Sequence, residues 1–507
     1  MELLQLPSFP ILLSFILFIY LALRILGKKN STKNLPPGPW KLPVIGSIHH
    51  LITSLPHHRL RDLAKIYGPI MHLQLGELSH IVISSPEAAK EVMKTHDITF
   101  AERPHVLQLA LLTYNYSDMA FSPYGEYWRQ LRKICTIELL SVKRVESFRS
   151  IREEQLSRLI TSISSNSIAG SPINFSRMLC SLIYSIVSRS AFGKIWEGED
   201  ILIAAIKDVV EAAGGFSLAD LYPSVKLFQL LSVMSSKMEK HQTKIDKIFQ
   251  SIIDQHRARK ATSSNRDEGK EDLVDVLLNL QDQGDLQFPI TDDNIKAIIV
   301  DMFLAGTETS STTIEWTMSE LMKNPRAMEK AQEEVRRIFG TQGNVDESRL
   351  DELNYLKLVI KEALRLHPPL PFLLPRECRE ECSIYDYEIP VKSKVLVNVW
   401  AMGRDPNYWN EAEKFNPERF IDSSIDYKGT NFEYLPFGAG RRMCPGLIYG
   451  MSNVEIPLAH LLFHFDWKLP TGLTPENLEM VEVFGGVLKK KNDLHLIPIP
   501  YHPPLVK

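Results

Sequence analysis

Hydrophobic and polar positions divide the chain into a short apolar N-terminal stretch and a long, mostly helical remainder. From Leu6 to Leu26 almost every residue is apolar, and about 20 such residues span a bilayer core as a helix. Lysines follow, so the positive-inside rule places the C-terminal side in the cytosol. An Ala-x-Ala-like cleavage site is absent, which argues against a cleaved secretory signal. We interpret residues 1–26 as an uncleaved, single-pass anchor, which in a eukaryotic cell means the endoplasmic reticulum membrane.

Beyond the anchor, the pattern predicts a linker, a small β region and then mostly helices. Residues 27–40 contain a polar linker and a proline-rich hinge, Leu35-Pro36-Pro37-Gly38-Pro39, which cannot be helical. Alternating positions predict two strands, Ile70–Leu75 and His80–Ser84, joined by a turn at Gly76-Glu77. The rest is mainly helical, so we predict a mainly α fold with small β-sheets and treat residues 41–507 as one domain.

One predicted helix is unusually long. Thr291 can cap its N-terminus, acidic residues follow in the first turn, and Asn324-Pro325 ends it, which gives a length of about 48 Å. Upstream, the charged and weakly apolar segment 257–271 is typical of a mobile loop. Another helix is predicted over Leu353–Leu366.

Composition excludes some classes of protein. The formal net charge of −3 leaves no positive excess for nucleic acid, so we expect no nucleic-acid partner. Five cysteines, an odd and sparse set, argue against a disulfide framework and fit a reducing compartment. Cys378 and Cys382 lack the second pair or histidines of a zinc site, so we interpret them as structural.

Candidate chemistry is concentrated at Cys444, within the segment 437–446 that reads FGAGRRMCPG. Its glycines allow tight turns and close approach to a flat partner, and Pro445 stiffens the chain. A lone cysteine is usually a small buried hydrophobe. Neighbouring arginines instead favour a thiolate, the form that binds metals.

A second unusual segment lies in the middle of the long helix, where residues 305–310 read AGTETS. Glycine and β-branched residues are poor choices for a helix centre, and hydroxyls that bond to backbone carbonyls loosen the turn. A small-residue notch for helix packing is one interpretation. The other is an oxygen-binding groove, in which an acid beside a hydroxyl relays protons through water.

Two spaced pairs are weaker signals. Trp128 and Arg132 share one face of a helix predicted over Glu126–Leu140, which by itself fits an amphipathic surface helix. Glu362 and Arg365 also share a helix face. As a surface pair they contribute under about 1 kcal/mol, whereas a buried bidentate pair would fix geometry.

These motifs occur in an order that resembles the cytochrome P450 family, from the LPPGP hinge through AGTETS and FNPERF to FGAGRRMCPG. The residue sequences of these motifs are most similar to those of plant microsomal members that act on terpenoids and other specialised metabolites. The resemblance implies a cytochrome P450-like helical fold around a buried haem b, preceded by one N-terminal transmembrane helix. It makes residues 41–507 a haem-thiolate catalytic domain.

The resemblance also implies roles for individual residues. Cys444 is the axial iron ligand and Phe437 packs near its sulfur. The predicted propionate partners are Arg442, Trp128, Arg132 and Arg376. Thr309 would lie at the bound oxygen with Glu308 in the proton relay. The Glu–Arg–Arg clamp would consist of Glu362, Arg365 and Arg419. The predicted substrate-pocket residues include Ala305, Leu370, Leu373 and Val483.

The implied function is a monooxygenase that inserts one atom of dioxygen into an apolar plant metabolite, with a sesquiterpene or diterpene as the favoured substrate. Electrons would come from NADPH through a separate flavoprotein reductase, because the chain has no Rossmann glycine fingerprint. A reductase-independent peroxide isomerase or dehydratase is one alternative, which intact Glu308 and Thr309 oppose. A non-catalytic membrane haem protein is another.

Overall fold

A computed structural model describes residues 14–15, 18–19, 34–52, 55–167, 170–194, 218–228, 236–262 and 271–501. The predicted anchor and the first part of the linker lie almost entirely outside the described residues. Among those that are described, no helix has both the length and the hydrophobicity that a membrane span requires.

Helices dominate the described residues. In chain order the α-helices are α1 Pro56–Tyr67, α2 Pro86–Lys90, α3 Leu107–Leu112, α4 Glu126–Ile134, α5 Val142–Ser147, α6 Arg149–Ser167, α7 Phe175–Phe192, α8 Leu218–Leu221, α9 Ser236–Thr262, α10 Leu273–Gln283, α11 Asp292–Lys323, α12 Pro325–Phe339, α13 Asn354–Leu366, α14 Val399–Met402 and α15 Leu447–His464.

The strands are short. They are β1 Ile70–Leu75, β2 Leu78–Ile83, β3 Ile173–Asn174, β4 Arg376–Glu377, β5 Cys382–Ile384, β6 Tyr387–Ile389, β7 Lys394–Val397, β8 Phe465–Lys468, β9 Glu482–Gly485, β10 Val487–Lys490 and β11 His495–Pro500. The mainly α fold with small sheets is therefore confirmed.

The segment predicted as one domain contains two compact units. The smaller consists of Met1–Pro104, Phe216–Met234 and Leu374–Asn398, and the larger of His105–Gly215, Ser235–Leu373 and Val399–Lys507. The proposed boundaries of the anchor and linker stay predictions.

The smaller unit is built on a four-stranded sheet with the strand order β1-β2-β7-β4. The first two strands form an antiparallel hairpin, and Gly76 at its turn has φ +60°. Strand β2 begins at Leu78 and not at the predicted residue 80, because the ladder continues to the pair Leu75–Leu78 beside the turn. The proline-rich hinge lies on β1. A Cβ on Gly38 would be only 1.9 Å from the His72 carbonyl oxygen, so glycine is required there.

The larger unit is centred on α11, which packs against α7 and α15. The Thr291 side chain accepts a hydrogen bond from the Asn294 N–H, and the Asn294 side chain accepts one from the Thr291 N–H. The C-cap residue of this 32-residue helix is Asn324, so both ends are as predicted. Two further sheets, β3-β11-β8 and the β9–β10 hairpin, belong to this unit, whereas the β5–β6 hairpin belongs to the smaller one.

Two sequence-based predictions were wrong in detail. The helix predicted over Glu126–Leu140 is α-helical only to Ile134, after which Cys135–Leu139 forms a wider π turn. Residues 257–262 are not a loop but the end of α9. Their charges are paired, not merely solvated: Arg257 contacts Asp292 and Arg259 contacts Asp275. Residues 263–270 lie outside the described residues.

Candidate functional site

The middle of α11 is open although both flanks are buried. Residues 294–303 and 310–322 are buried, whereas Ala305 is exposed and the rest of 304–309 is half-buried. A helix surrounded by protein can be exposed only at its centre if that centre borders an internal opening. The Thr309 hydroxyl donates to the Ala305 carbonyl, which is the backbone bond that was expected to loosen this turn.

Helix packing accounts for Gly306 but not for Ala305. A Cβ on Gly306 would lie 3.5 Å from Val187 and 3.6 Å from Tyr449, so alanine would fit there whereas a longer side chain would collide. Ala305 is exposed, so its small size has no such explanation and the open face remains.

The acid of the same turn has an ion-pair partner. Glu308 Oε1 lies 2.7 Å from Lys489 Nζ on β10. Both side chains are partly exposed, so the pair contributes under about 1 kcal/mol and can open readily.

The Cys444 loop is a tight, hydrogen-bonded turn. Gly438 and Gly440 have φ values of +70° and +71°, which favour glycine. The Cys444 N–H donates to the Phe437 carbonyl at 3.0 Å. Phe437 itself is half-buried, and its ring contacts Tyr427. Cys444 is therefore held rigidly, just before α15.

Cations beside Cys444 were expected to favour the thiolate, and the Arg132 guanidinium does lower the pKa of the thiol. Burial raises the pKa of the Cys444 thiol, and this effect outweighs both the Gly446 N–H at the start of α15 and the Arg132 guanidinium. A metal ion deprotonates a coordinating thiol outright, so the ligating form depends on the cation it binds.

Leu373 is the predicted pocket residue that lies against the Cys444 loop. Its Cδ1 atom lies 3.5 Å from the position that a Cβ on Gly438 would occupy. Leu373 has φ +55°, a strained conformation for a branched residue, and its N–H donates to the Leu370 carbonyl at 3.1 Å. Val483 on β9 is 44% exposed, and its pocket role stays a prediction.

Arg442 and Trp128 meet at the loop that precedes α4. Arg442 Nη2 donates to the Ser122 carbonyl at 2.6 Å, and its guanidinium lies 4.4 Å from the centre of the Trp128 ring. The Trp128 indole N–H donates to the Met119 carbonyl at 3.1 Å. Trp128 is buried, so α4 is not simply a solvated surface helix.

Arg132 stands apart from the other predicted propionate partners of the larger unit. It is half-buried, and none of the described residues accepts a hydrogen bond from it. Burial lowers the pKa of its guanidinium, whereas Cys444 and Cys135 oppose that effect when they are ionised. Arg376 belongs to the smaller unit, where it is buried and lies 3.3 Å from Asp97. Its propionate role stays a prediction.

The Glu–Arg–Arg set comes together as a buried cluster. Arg365 donates two bonds of 2.8 Å to the two oxygens of Glu362, and Arg419 Nε donates to Glu362 Oε1 at 2.9 Å. The Glu362 and Arg365 side chains are fully buried. Of the two interpretations open from the spacing, the geometry is that of a buried bidentate pair.

These residues fit a haem. A haem is a flat anionic group with one central metal. It fits against an open helix face, a thiol on a rigid loop can bind its metal, and a cation whose N–H groups have no other acceptor can bind its anionic groups. The larger unit supplies these in the α11 centre, Cys444 and Arg132.

Comparisons with known proteins agree with this assignment. The profile of the Cytochrome P450 family matches residues 36–497. Premnaspirodiene oxygenase of Hyoscyamus muticus is 54% identical, with 96% of this chain and 97% of that protein covered. The 5-epiaristolochene 1,3-dihydroxylase of Nicotiana tabacum is 52% identical, with 96% and 97% covered. Desmethyl-deoxy-podophyllotoxin synthase of Sinopodophyllum hexandrum is also 52% identical, with 99% and 98% covered.

A solved structure supports the fold. A zebra fish cytochrome P450 structure with abiraterone superposes with a TM-score of 0.72 at 25% identity, covering 88% of this chain and 100% of that one. The chain belongs to the cytochrome P450 family. It is an oxidoreductase of the monooxygenase type, and membership of the family implies haem iron.

Sequence reasoning missed three charged residues near the site. Lys489 could not be paired with Glu308 from spacing, since 181 positions separate them. Asp301 and Asp118 were also overlooked. The signal for Asp301 was present: it is an acid in an apolar run, four and eight residues before Ala305 and Thr309.

Replacing Glu362 by Gln should destabilise the chain by about 3–5 kcal/mol, because two buried guanidinium groups lose their counter-charge. Urea unfolding followed by tryptophan fluorescence measures the change. The matched control is Glu352→Gln, since Arg349 and Glu352 have the same spacing but side chains that are 32% and 48% exposed. That control should cost under about 1 kcal/mol. Equal losses in the two variants would contradict a structural role for the buried cluster.

Proposed function

We propose that this chain is a haem-thiolate monooxygenase that inserts one oxygen atom into an apolar plant terpenoid, a sesquiterpene or a diterpene. The observation that carries the proposal is the open centre of α11, where Thr309 and Glu308 are partly exposed in a helix that is buried on either side. Two relatives that cover nearly the whole chain are named for the terpenoids premnaspirodiene and 5-epiaristolochene.

In this proposal the chain's own groups bind and orient the haem. Cys444 would hold the iron, and Arg132, Arg442 and Trp128 would bind the propionates. When bound, the haem iron supplies the binding and activation of dioxygen. The tight loop keeps the sulfur in place, because the Cys444 N–H is already bonded to the Phe437 carbonyl.

Thr309 and Glu308 would move protons to the oxygen site. The Thr309 hydroxyl donates to the Ala305 carbonyl, which leaves its oxygen free to accept a hydrogen bond from water. Glu308 can take part only when its carboxylate leaves Lys489, and the partial exposure of both groups makes that exchange easy. Protons would then pass from solvent through Glu308 and water to Thr309.

Apolar side chains would select the substrate. Ala305, Leu370 and Leu373 offer hydrocarbon surface, and Val483 would add to it. This surface suits a ligand without charges, and it would fix orientation by shape and not by polar contacts. Electrons would come from NADPH through a separate flavoprotein reductase at the endoplasmic reticulum membrane, with residues 1–26 as the anchor.

Microsomes that contain the chain and a plant reductase should convert premnaspirodiene or a diterpene hydrocarbon into a product that carries one atom from ¹⁸O₂. Mass spectrometry of the extract measures this. Turnover of a fatty-acid hydroperoxide without NADPH would indicate a peroxide isomerase or dehydratase instead. A haem-loaded chain that yields product from none of these substrates, nor from a podophyllotoxin-type lignan, would indicate a non-catalytic haem protein.

In the same assay Thr309→Ala should consume NADPH while its product yield per NADPH falls at least about tenfold, a loss of ~1.4 kcal/mol. Thr313→Ala is the matched control, since Thr313 makes the same bond to the carbonyl four residues back, at 2.8 Å to Thr309, but from a buried position. It should leave the coupling ratio unchanged. Unchanged coupling in Thr309→Ala would remove Thr309 from the relay.

Cys444→Ser should abolish the carbon monoxide difference band of a thiolate-ligated haem, because serine supplies no comparable metal ligand at neutral pH. The difference spectrum of dithionite-reduced protein measures this, and circular dichroism verifies that the variant is folded. Cys180→Ser is the control, since Cys180 is an exposed free cysteine of the same unit. Persistence of the band in Cys444→Ser would overturn the ligand assignment.

The cytosolic orientation can be tested at Asn115. This residue is exposed and begins an Asn-x-Ser glycosylation acceptor, so lumenal passage would make it available to the glycosylation machinery. We expect no change in gel mobility on endoglycosidase treatment of material from a eukaryotic host. A shift that is lost in Asn115→Gln would place the catalytic residues in the lumen.

A further inference from the structure

Two buried carboxyl side chains, those of Asp118 and Asp301, bind the same loop inside the larger unit. Asp118 is 0% and Asp301 9% exposed, and the two carboxyl groups lie within range of each other's electrostatic influence. Among the described residues neither carboxyl forms an ion pair, although the charge of Arg442 acts on Asp118. Two ionised carboxylates would repel strongly at this burial.

The carboxyl oxygens of the two residues differ in their hydrogen-bond partners. Asp301 Oδ2 accepts from the N–H groups of Met119 and Ala120, at 2.7 and 3.3 Å. Asp118 Oδ2 accepts from the Phe121 N–H at 2.9 Å. Asp118 Oδ1 is buried and has no donor among the described residues. A carboxylate can only accept, so a bond between the two side chains requires a proton on one of them.

The electrostatics agree with one shared proton. Burial raises the pKa of Asp118 to about 6, and burial together with the charge of Asp118 holds the pKa of Asp301 well above its usual range. Both shifts are those of a pair that keeps one proton between its two carboxyl groups at neutral pH. Other titratable groups that interact with the pair are Tyr127, Cys135 and Arg442.

The pair connects α11 to the predicted propionate partners. Asp301 lies one and two helical turns before Ala305 and Thr309, so the three share one helix face. Asp301 binds the Met119 N–H, and the carbonyl of Met119 accepts from Trp128 and, at 3.4 Å, from Arg442. Asp301 thus holds Met119, whose carbonyl binds the side chains of Trp128 and Arg442.

We propose that Asp118 and Asp301 share a proton that fastens the loop 118–122 to α11 and so orients Arg442 and Trp128 toward the haem. Asp301 is a positioning residue in this scheme, because it acts through Met119. The second half of the inference rests on the proposed haem site, whereas the shared proton and the fastened loop do not.

The test compares three variants of the full haem-loaded chain in lipid nanodiscs by amide hydrogen exchange. Asp301→Asn keeps an acceptor for both N–H groups and a donor for Asp118, so exchange at Met119–Phe121 should stay within about twofold of wild type. Asp301→Leu removes both functions and should speed that exchange at least tenfold. Asp285→Asn, a surface substitution on the segment before α11, should change nothing at the loop.

Urea unfolding across pH tests the shared proton. Because the pair keeps a proton in the folded state that an unfolded aspartate releases near pH 4, wild-type stability should fall as pH rises from about 4 through the raised pKa values. Over the pH range in which Asp118 is ionised and the pair still keeps one proton, the unfolding equilibrium constant of wild type should rise about tenfold per pH unit relative to Asp301→Asn. An identical pH slope in wild type and Asp301→Asn would overturn the shared proton.

Resonance Raman spectra of the bound haem test the orientation step. The propionate bending bands should shift in Asp301→Leu and be unchanged in Asp301→Asn. Faster loop exchange without that shift would overturn the link to Arg442 and Trp128, and unchanged loop exchange in Asp301→Leu would overturn the proposal altogether. None of these readings requires turnover, so failure of the proposed monooxygenase activity is distinguishable from failure of the pair.

Discussion

The buried contact of Glu362 with Arg365 and Arg419 is the interaction on which the Cys444 loop depends. Beyond Glu362, the two guanidinium groups donate to backbone carbonyls of the segment 403–414, including those of Ala412 and Lys414. The same helix holds the chain that leads into the loop, because the Tyr434 hydroxyl donates to the Lys361 carbonyl at 2.7 Å. A long irregular segment thereby gains the rigidity that regular structure would otherwise supply.

The burial of ionisable side chains determines the protonation of several other groups in the site. Burial keeps the Cys444 thiol protonated until a cation binds, and it forces the two aspartates to keep a proton. By contrast, Glu308 and Lys489 are partly exposed and remain a loose pair. The site therefore combines rigid, desolvated groups that hold position with a solvent-accessible acid that can exchange protons.

Local signals could be predicted from sequence. The ends of α11 follow from Thr291 and Asn324-Pro325, because caps and proline act within one turn. The glycines of the Cys444 loop were also readable, since a positive φ is a local requirement. The spacing of Glu362 and Arg365 could not distinguish a surface pair from a buried one, because burial depends on what the rest of the chain packs against that face.

Long-range charge pairing was not readable. Lys489 reaches Glu308 from a strand, and Asp118 meets Asp301 across 183 positions of sequence. Residues 257–262 were misassigned for the same reason, since their charges find partners on α10 and α11. The composition of a segment shows that it is charged, but it does not show which distant residues will form ion pairs with those charges.

Leu373 has a consequence for how selectivity can change over evolution. Its left-handed backbone is adopted at a cost of order 1–3 kcal/mol, and it lies against the loop that holds the sulfur. Exchange for another apolar residue alters the shape of the site while the backbone cost stays. In the proposed pocket, exchange for glycine would relieve that cost but remove the side chain that contacts the substrate. New substrate preferences at this position would therefore arise from a change of side-chain size, with the backbone unchanged.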